Sequence, residues 1–147
     1  MKKILFCLLS SLCFYSSIGA VVEGERFPQS EEAVQLATYG HIDAKGLMNL
    51  IGAGIPHLML DARGNEWHDG NIIPGALLAF YDYSSEQLSQ LVPQKNTLVV
   101  VYCHSFSCPL SDRLAQKLVS LGYENVLEYP GGLVEWRDIA AYPIEKI

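Results

Sequence analysis

Clustered positive charge is missing from this chain. Its 10 Lys and Arg stand against 16 Asp and Glu, for a formal net charge of -6, and no basic run occurs. Phosphate backbones are held by concentrated positive charge, so nucleic acid is not an expected partner. Charged residues of either sign are scarce at 18%, while 50% of the chain is hydrophobic. That balance supplies a core and lacks the makeup of a disordered segment. Cysteine is sparse too: four residues, with no Cys-x-x-Cys pair. The histidines, His41, His57, His68 and His104, are scattered. Neither pattern has metal-ligand spacing, and no metal or other cofactor is expected. There are no internal repeats or low-complexity tracts. A length of 147 residues suits one domain and is short for two.

The N-terminus reads as a targeting segment. Lys2 and Lys3 precede an apolar stretch with interspersed serines over residues 4–18. Gly19 and Ala20 then lead into Glu23-Gly24-Glu25-Arg26. That is the order of a secretory signal peptide, assigned to residues 1–20. A cut after Ala20 leaves Ile18 where a small residue is usual, whereas a cut after Gly19 puts Ser17 there. Residues 4–22 are also just long enough to span a bilayer as an uncleaved anchor. The interspersed serines and the short flank favour cleavage. Leu12 ahead of Cys13 is not the small residue a lipoprotein would carry there. Export implies a periplasmic or secreted protein that is free of the membrane after cleavage. Cys7 and Cys13 leave with the peptide, and two cysteines, Cys103 and Cys108, stay in an oxidising compartment where they can pair.

Residues 21–40 carry few signals and read as an N-terminal extension, with a short helix over 31–39. The domain proper is assigned to 41–147. Asp43 is a good N-cap for a helix on which Leu47, Leu50 and Ile51 repeat, and Gly52 and Gly54 end it. Residues 57–61 form an apolar run with a polar end, a buried strand. Residues 63–75 read as a long loop, and residues 76–80 as another strand. Ser84 with Gln87 matches a capping box, Leu88 and Leu91 mark a buried face, and Pro93 closes that helix. Residues 97–102 are apolar at nearly every position, as suits a central parallel strand covered on both faces. Leu110, Leu114, Leu118 and Leu121 form a helical stripe that Gly122 ends as C′ residue. Residues 126–129 make a final strand, and Pro130-Gly131-Gly132 turns into a last helix with Trp136. Helices alternating with short apolar strands predict an α/β fold, with a mostly parallel central sheet flanked by helices.

Ligands of such sheets sit beyond the carboxyl ends of the strands, and Cys103 stands there. From Cys103 a short loop runs into a helix predicted to begin at Pro109, a residue suited to N1. Loop N–H groups and a helix N-terminus together cradle an anion and favour thiolate over thiol. A thiolate so placed is a nucleophile. On this pattern alone, a buried structural cysteine is an equal alternative.

Further blocks bear on the choice. Leu60-Asp61-Ala62-Arg63 followed by Glu66-Trp67, then Gly70-Asn71-Ile72-Ile73-Pro74-Gly75-Ala76, then Val99-Val100-Val101-Tyr102-Cys103, and finally Tyr129-Pro130-Gly131-Gly132 with Trp136 and Pro143, occur in that order. This ordered set, over about residues 42–146, resembles the rhodanese (sulfurtransferase) family. The resemblance implies a rhodanese-like fold and a Cys103 that takes a sulfane sulfur from a donor such as thiosulfate. The Cys103 persulfide then passes that sulfur to a thiol or cyanide. It further implies that the amides of His104, Ser105, Phe106, Ser107 and Cys108 surround the persulfide. Asp61, Arg63 and Glu66 are implied as structural support beneath the loop. Trp136 reads as core.

The chain departs from the family pattern in three places. The second block has the additional residue Ile73, and Asn71 where His is common. Cys108 stands where many active members carry Arg, which removes a charge for thiosulfate. Phe106 stands where Gly is frequent, which narrows or reshapes the loop. His104 suits either a proton donor beside the thiolate or a solvent-facing loop residue. Related phosphatases use Cys-x5-Arg, and position 109 here is Pro, which argues against phosphate chemistry. Three functions stay open: a sulfurtransferase whose Cys103 persulfide is resolved by Cys108, a thiol-disulfide redox or sensor pair, and a non-catalytic binding module. The expected partners are a small sulfur donor, a thiol acceptor and a periplasmic reductant protein that keeps the pair reduced.

Overall fold

The computed structural model describes residues 38–147. The signal segment and nearly all of the helix expected over 31–39 lie outside the described residues. Five parallel strands form the central sheet in the order β1-β6-β5-β2-β4. They are β1 (Gly40–His41), β2 (Leu58–Asp61), β4 (Leu77–Leu78), β5 (Leu98–Tyr102) and β6 (Asn125–Tyr129). A separate antiparallel pair joins β3 (Asn71–Ile72) to β7 (Glu145–Lys146). The helices are α1 (Ala44–Gly52), α2 (Ser85–Leu91), α3 (Leu110–Ser120) and the short α4 (Gly132–Val134), which runs on into a π-helical turn, Glu135–Ile139.

The central strand explains the layering. Val99 and Val101 face one side of β5 and pack with Leu88, Leu114 and Leu118, from α2 and α3. Val100 and Tyr102 face the other side and pack with Leu47, Leu133 and Trp136. All four strand residues are fully buried. Each buried valine contributes about 1.5–3 kcal/mol. A run that is apolar on both faces can be satisfied only between two layers, and this is why β5 sits mid-sheet.

Helix ends follow local chemistry. The Asp43 carboxylate accepts from Gly46 N–H at 2.6 Å. Ser84 and Gln87 form the expected capping box. Gly122, at φ 84°, closes α3 with paired bonds, Gly122 N–H to Val119 O and Tyr123 N–H to Leu118 O.

Four details differ from the sequence reading. The chain over 63–75 contains a 3-10 turn, Asn65–Trp67, and the strand β3; β3 exists only because β7, over 70 residues away, comes to pair with it. The strand expected over 76–80 narrows to Leu77–Leu78, flanked by a turn bond from Ala76 N–H to Ile73 O. Pro109 is the N-cap of α3 and not its first residue, because its carbonyl accepts the first helical bond, from Arg113 N–H. Gly40 joins the sheet as part of β1, against β6.

Candidate functional site

The apolar run of β5 ends at Tyr102, and the next residue, Cys103, is 1% exposed at the carboxyl end of the central strand. Residues 104–108 then fold into a tight loop. Cys108 N–H donates to Ser105 O at 2.9 Å, and the Ser105 and Ser107 hydroxyls meet at 3.1 Å. Among the described residues, the N–H groups of His104, Ser105, Phe106 and Ser107 have no hydrogen-bond partner. Four free N–H groups in one turn are what an anion cradle requires. The loop is held from behind by the start of α4: Leu133 N–H donates to Cys103 O at 3.0 Å, and Val134 N–H to His104 O at 2.9 Å.

Gly132 makes that clamp possible. Its φ is 61°, and a Cβ there would stand 2.5 Å from Cys103 O and 2.7 Å from His104 C. Only glycine allows both the left-handed backbone and the close approach.

Cys103 and Cys108 are joined by a disulfide, with Cα atoms 6.3 Å apart. The pair borders a cavity of about 360 Å³, whose wall also includes Arg63, Trp67, His104, Pro109 and Leu110. Cys108 is only partly buried. Trp67 is 64% exposed and Phe106 67% exposed. His104 is exposed on the loop. Phe106 borders a second cavity, with His41, Asp43 and Glu135. It therefore does not narrow the cavity beside the two cysteines.

Asp61 and Arg63 form a buried ion pair, and Arg63 borders the cavity beside the cysteines. The carboxylate of Asp61 receives Arg63 Nη2 at 2.7 Å and Nε at 2.9 Å, with both side chains fully buried. Tyr102 Oη donates to Asp61 Oδ2 at 2.9 Å and accepts from Ile73 N–H at 3.2 Å. Burial, reinforced by the Asp61 charge, pushes the Tyr102 phenol well above its ordinary range. Arg63 Nη2 also reaches Asn71 O at 2.6 Å. The additional residue Ile73 is therefore built into this network through its amide.

Glu66 is the correction. It lies on the 3-10 turn, exposed, with its carboxylate curled over Gly64. The second acid on Arg63 is Asp69, at 3.3 Å from Nη1. Hydrogen bonds from Asn71, joined by Arg63, hold the Asp69 carboxyl well below its usual range against a burial cost. Asp69 reaches Arg137 at 3.3 Å, and Arg137 reaches Asp138 at 2.6 Å. Asp61, Arg63, Asp69, Arg137 and Asp138 thus form one chain of two cations and three carboxylates. Sequence reasoning did not find Tyr102, Asp69 or Gly132. The signals available were a phenol ending an apolar strand and a second glycine at the turn.

A parallel sheet that delivers a cysteine into a tight loop at its carboxyl edge defines the class: an α/β domain with a cysteine pair at the end of its central strand. The rhodanese-like domain family model matches residues 43–139, and the chain belongs to that family. No curated protein gives a significant match. Among solved structures, a protein from Bacillus halodurans superposes with TM-score 0.65 at 24% identity, covering 73% of this chain and 77% of that one. A thiosulfate sulfurtransferase from Pseudomonas aeruginosa gives 0.63 at 23%, covering 74% of this chain and 20% of the other. A rhodanese from E. coli, solved with anions, gives 0.50 at 31%, covering 62% of this chain and 99% of that one. The shared fold is the parallel sheet flanked by helices.

Proposed function

We propose that the protein is a sulfurtransferase that carries sulfane sulfur on Cys103, with Cys108 as resolving thiol. The reading rests on one observation: the two sulfurs meet across an amide-lined loop at the wall of a cavity. In the reduced protein the Cys103 thiolate attacks the sulfane sulfur of a donor R–S–S⁻. The Cys103 persulfide forms and R–S⁻ leaves. An acceptor thiol then takes the outer sulfur. Alternatively, the Cys108 thiolate attacks Cys103 Sγ, releasing HS⁻ and closing the disulfide. Free amides in the loop stabilise the anionic persulfide.

The charge pattern argues against thiosulfate as preferred donor. Cys108 replaces the Arg common in the family, and Arg63, the guanidinium at this cavity, is neutralised by Asp61 and Asp69. A dianion gains little from a site whose cations are outnumbered by carboxylates. An organic persulfide of low charge suits it better. The signal-like N-terminus supports an exported, periplasmic or secreted setting, where a dedicated reductant partner would be needed.

The closed disulfide also favours a second reading, a thiol-disulfide redox pair without sulfur transfer. One measurement separates them. Reduced protein incubated with thiosulfate or an alkyl persulfide is expected to gain the mass of one sulfur atom, more readily from the persulfide. Cys103→Ser abolishes the gain, and Cys108→Ser prolongs it. No gain from any donor rejects sulfur transfer and leaves the redox pair.

A further inference from the structure

The two sulfurs of the disulfide are not equivalent. Cys103 is 1% exposed, its carbonyl tied to α4 and its chain continuing back into the sheet core. Cys108 is partly exposed, one residue before the N-cap of α3. Thiol-disulfide exchange requires the incoming thiolate to approach one sulfur along the S–S axis, opposite the sulfur that leaves. Cys103 is the buried partner of the bond, so its sulfur is the harder one to reach. Approach to Cys108 starts nearer solvent.

The leaving group points the same way. Exchange is faster when the departing thiolate is better stabilised. The loop that follows Cys103 carries four N–H groups with no partner among the described residues. An anion released at Cys103 forms next to these unused donors, which favour negative charge.

We infer that an external dithiol opens the disulfide by attacking Cys108, forming a mixed disulfide there and releasing Cys103 as the thiolate that re-enters the reaction. The steps balance. One thiolate of the dithiol bonds to Cys108 Sγ as the Cys103–Cys108 bond breaks and Cys103 takes the electron pair. The second thiol then attacks its neighbour's sulfur, releasing Cys108 and oxidising the dithiol to a disulfide. The inference rests on the reading of Cys103 and Cys108 as a working pair, and it makes Cys108 the docking cysteine for the reductant as well as the resolving one.

The test uses the oxidised full chain and needs no variant. Cysteamine is added as a one-thiol probe, free thiols are trapped with N-ethylmaleimide during the first turnover, and fragment ions locate both labels. Cysteamine on Cys108 with maleimide on Cys103 is expected in about tenfold excess over the reverse pattern, given the dependence of exchange on access and leaving group. Cysteamine on Cys103, or an even mixture, overturns the inference. Because the assay contains no sulfur donor, it stands apart from the persulfide measurement. Failure to form a persulfide with Cys108 still labelled would reject sulfur transfer alone.

Discussion

Gly132 shows how one residue governs the site. Two glycines, Gly122 and Gly132, have comparable positive φ, 84° and 61°. A Cβ on Gly122 meets nothing within 4 Å, whereas a Cβ on Gly132 meets the backbone of Cys103 and His104. Gly122→Ala therefore costs only the left-handed conformation, about 1–2 kcal/mol. Gly132→Ala adds an overlap with main-chain atoms that cannot swing aside, so its loss should exceed that figure and displace the loop. Urea unfolding of the two variants side by side checks this; equal losses would show that the clamp is unimportant. Asp61 and Arg63 were named through the family resemblance, and the structure joins them by hydrogen bonds. Asp69 was not legible, since Glu66 and Asp69 are both acids in one irregular loop and only the path of the chain selects between them.

At the scale of elements, α3 is fastened to the sheet by a buried polar contact. Ser111, in its first turn, donates to Glu128 of β6 at 2.8 Å, and His41 of β1 approaches the same carboxylate at 3.1 Å. Ser111 and Glu128 are both buried. Removing one partner of a buried hydrogen bond leaves the other unsatisfied, at about 1–3 kcal/mol. Ser111→Ala is expected to lose stability in that range. It should also loosen the start of α3, seen as faster hydrogen exchange of the Cys108 and Arg113 amides, which donate to Ser105 O and Pro109 O. Unchanged exchange there would mean that the loop is held by α4 alone. The helices and the central strand were readable because caps and periodicity are properties of neighbouring residues. The β3–β7 pair was not readable: each strand is two residues long, too short for a pattern.

For the whole molecule, a phenol hydrogen-bonded to a carboxylate contributes to the pH response. The hydrogen bond to Asp112, helped by burial, pushes the Tyr39 phenol up from 10.0 to about 12. A raised folded pKa means that this stabilisation is complete below pH 10 and is lost as pH climbs toward about 12. Tyr39→Phe should therefore cost stability at neutral pH, and the gap to wild type should shrink on the alkaline side. Denaturant midpoints measured across that range check it, and a constant gap would contradict the assignment.

The place of Cys103 was decided by sequence alone. An apolar run covered on both faces can only be a central strand, so the residue that ends it stands at the sheet's carboxyl edge whatever surrounds it. The N-caps of α1 and α2 and the glycine that ends α3 were decided in the same local way. What the tertiary structure decided depends on segments far apart in the chain. It brought Gly132 against Cys103, gave Arg63 the Asp69 carboxylate and not Glu66, and left Cys108 nearer solvent than Cys103. Periodicity reports which face of an element is buried, but exposure at a loop and contacts between distant turns exist only once the layers have packed.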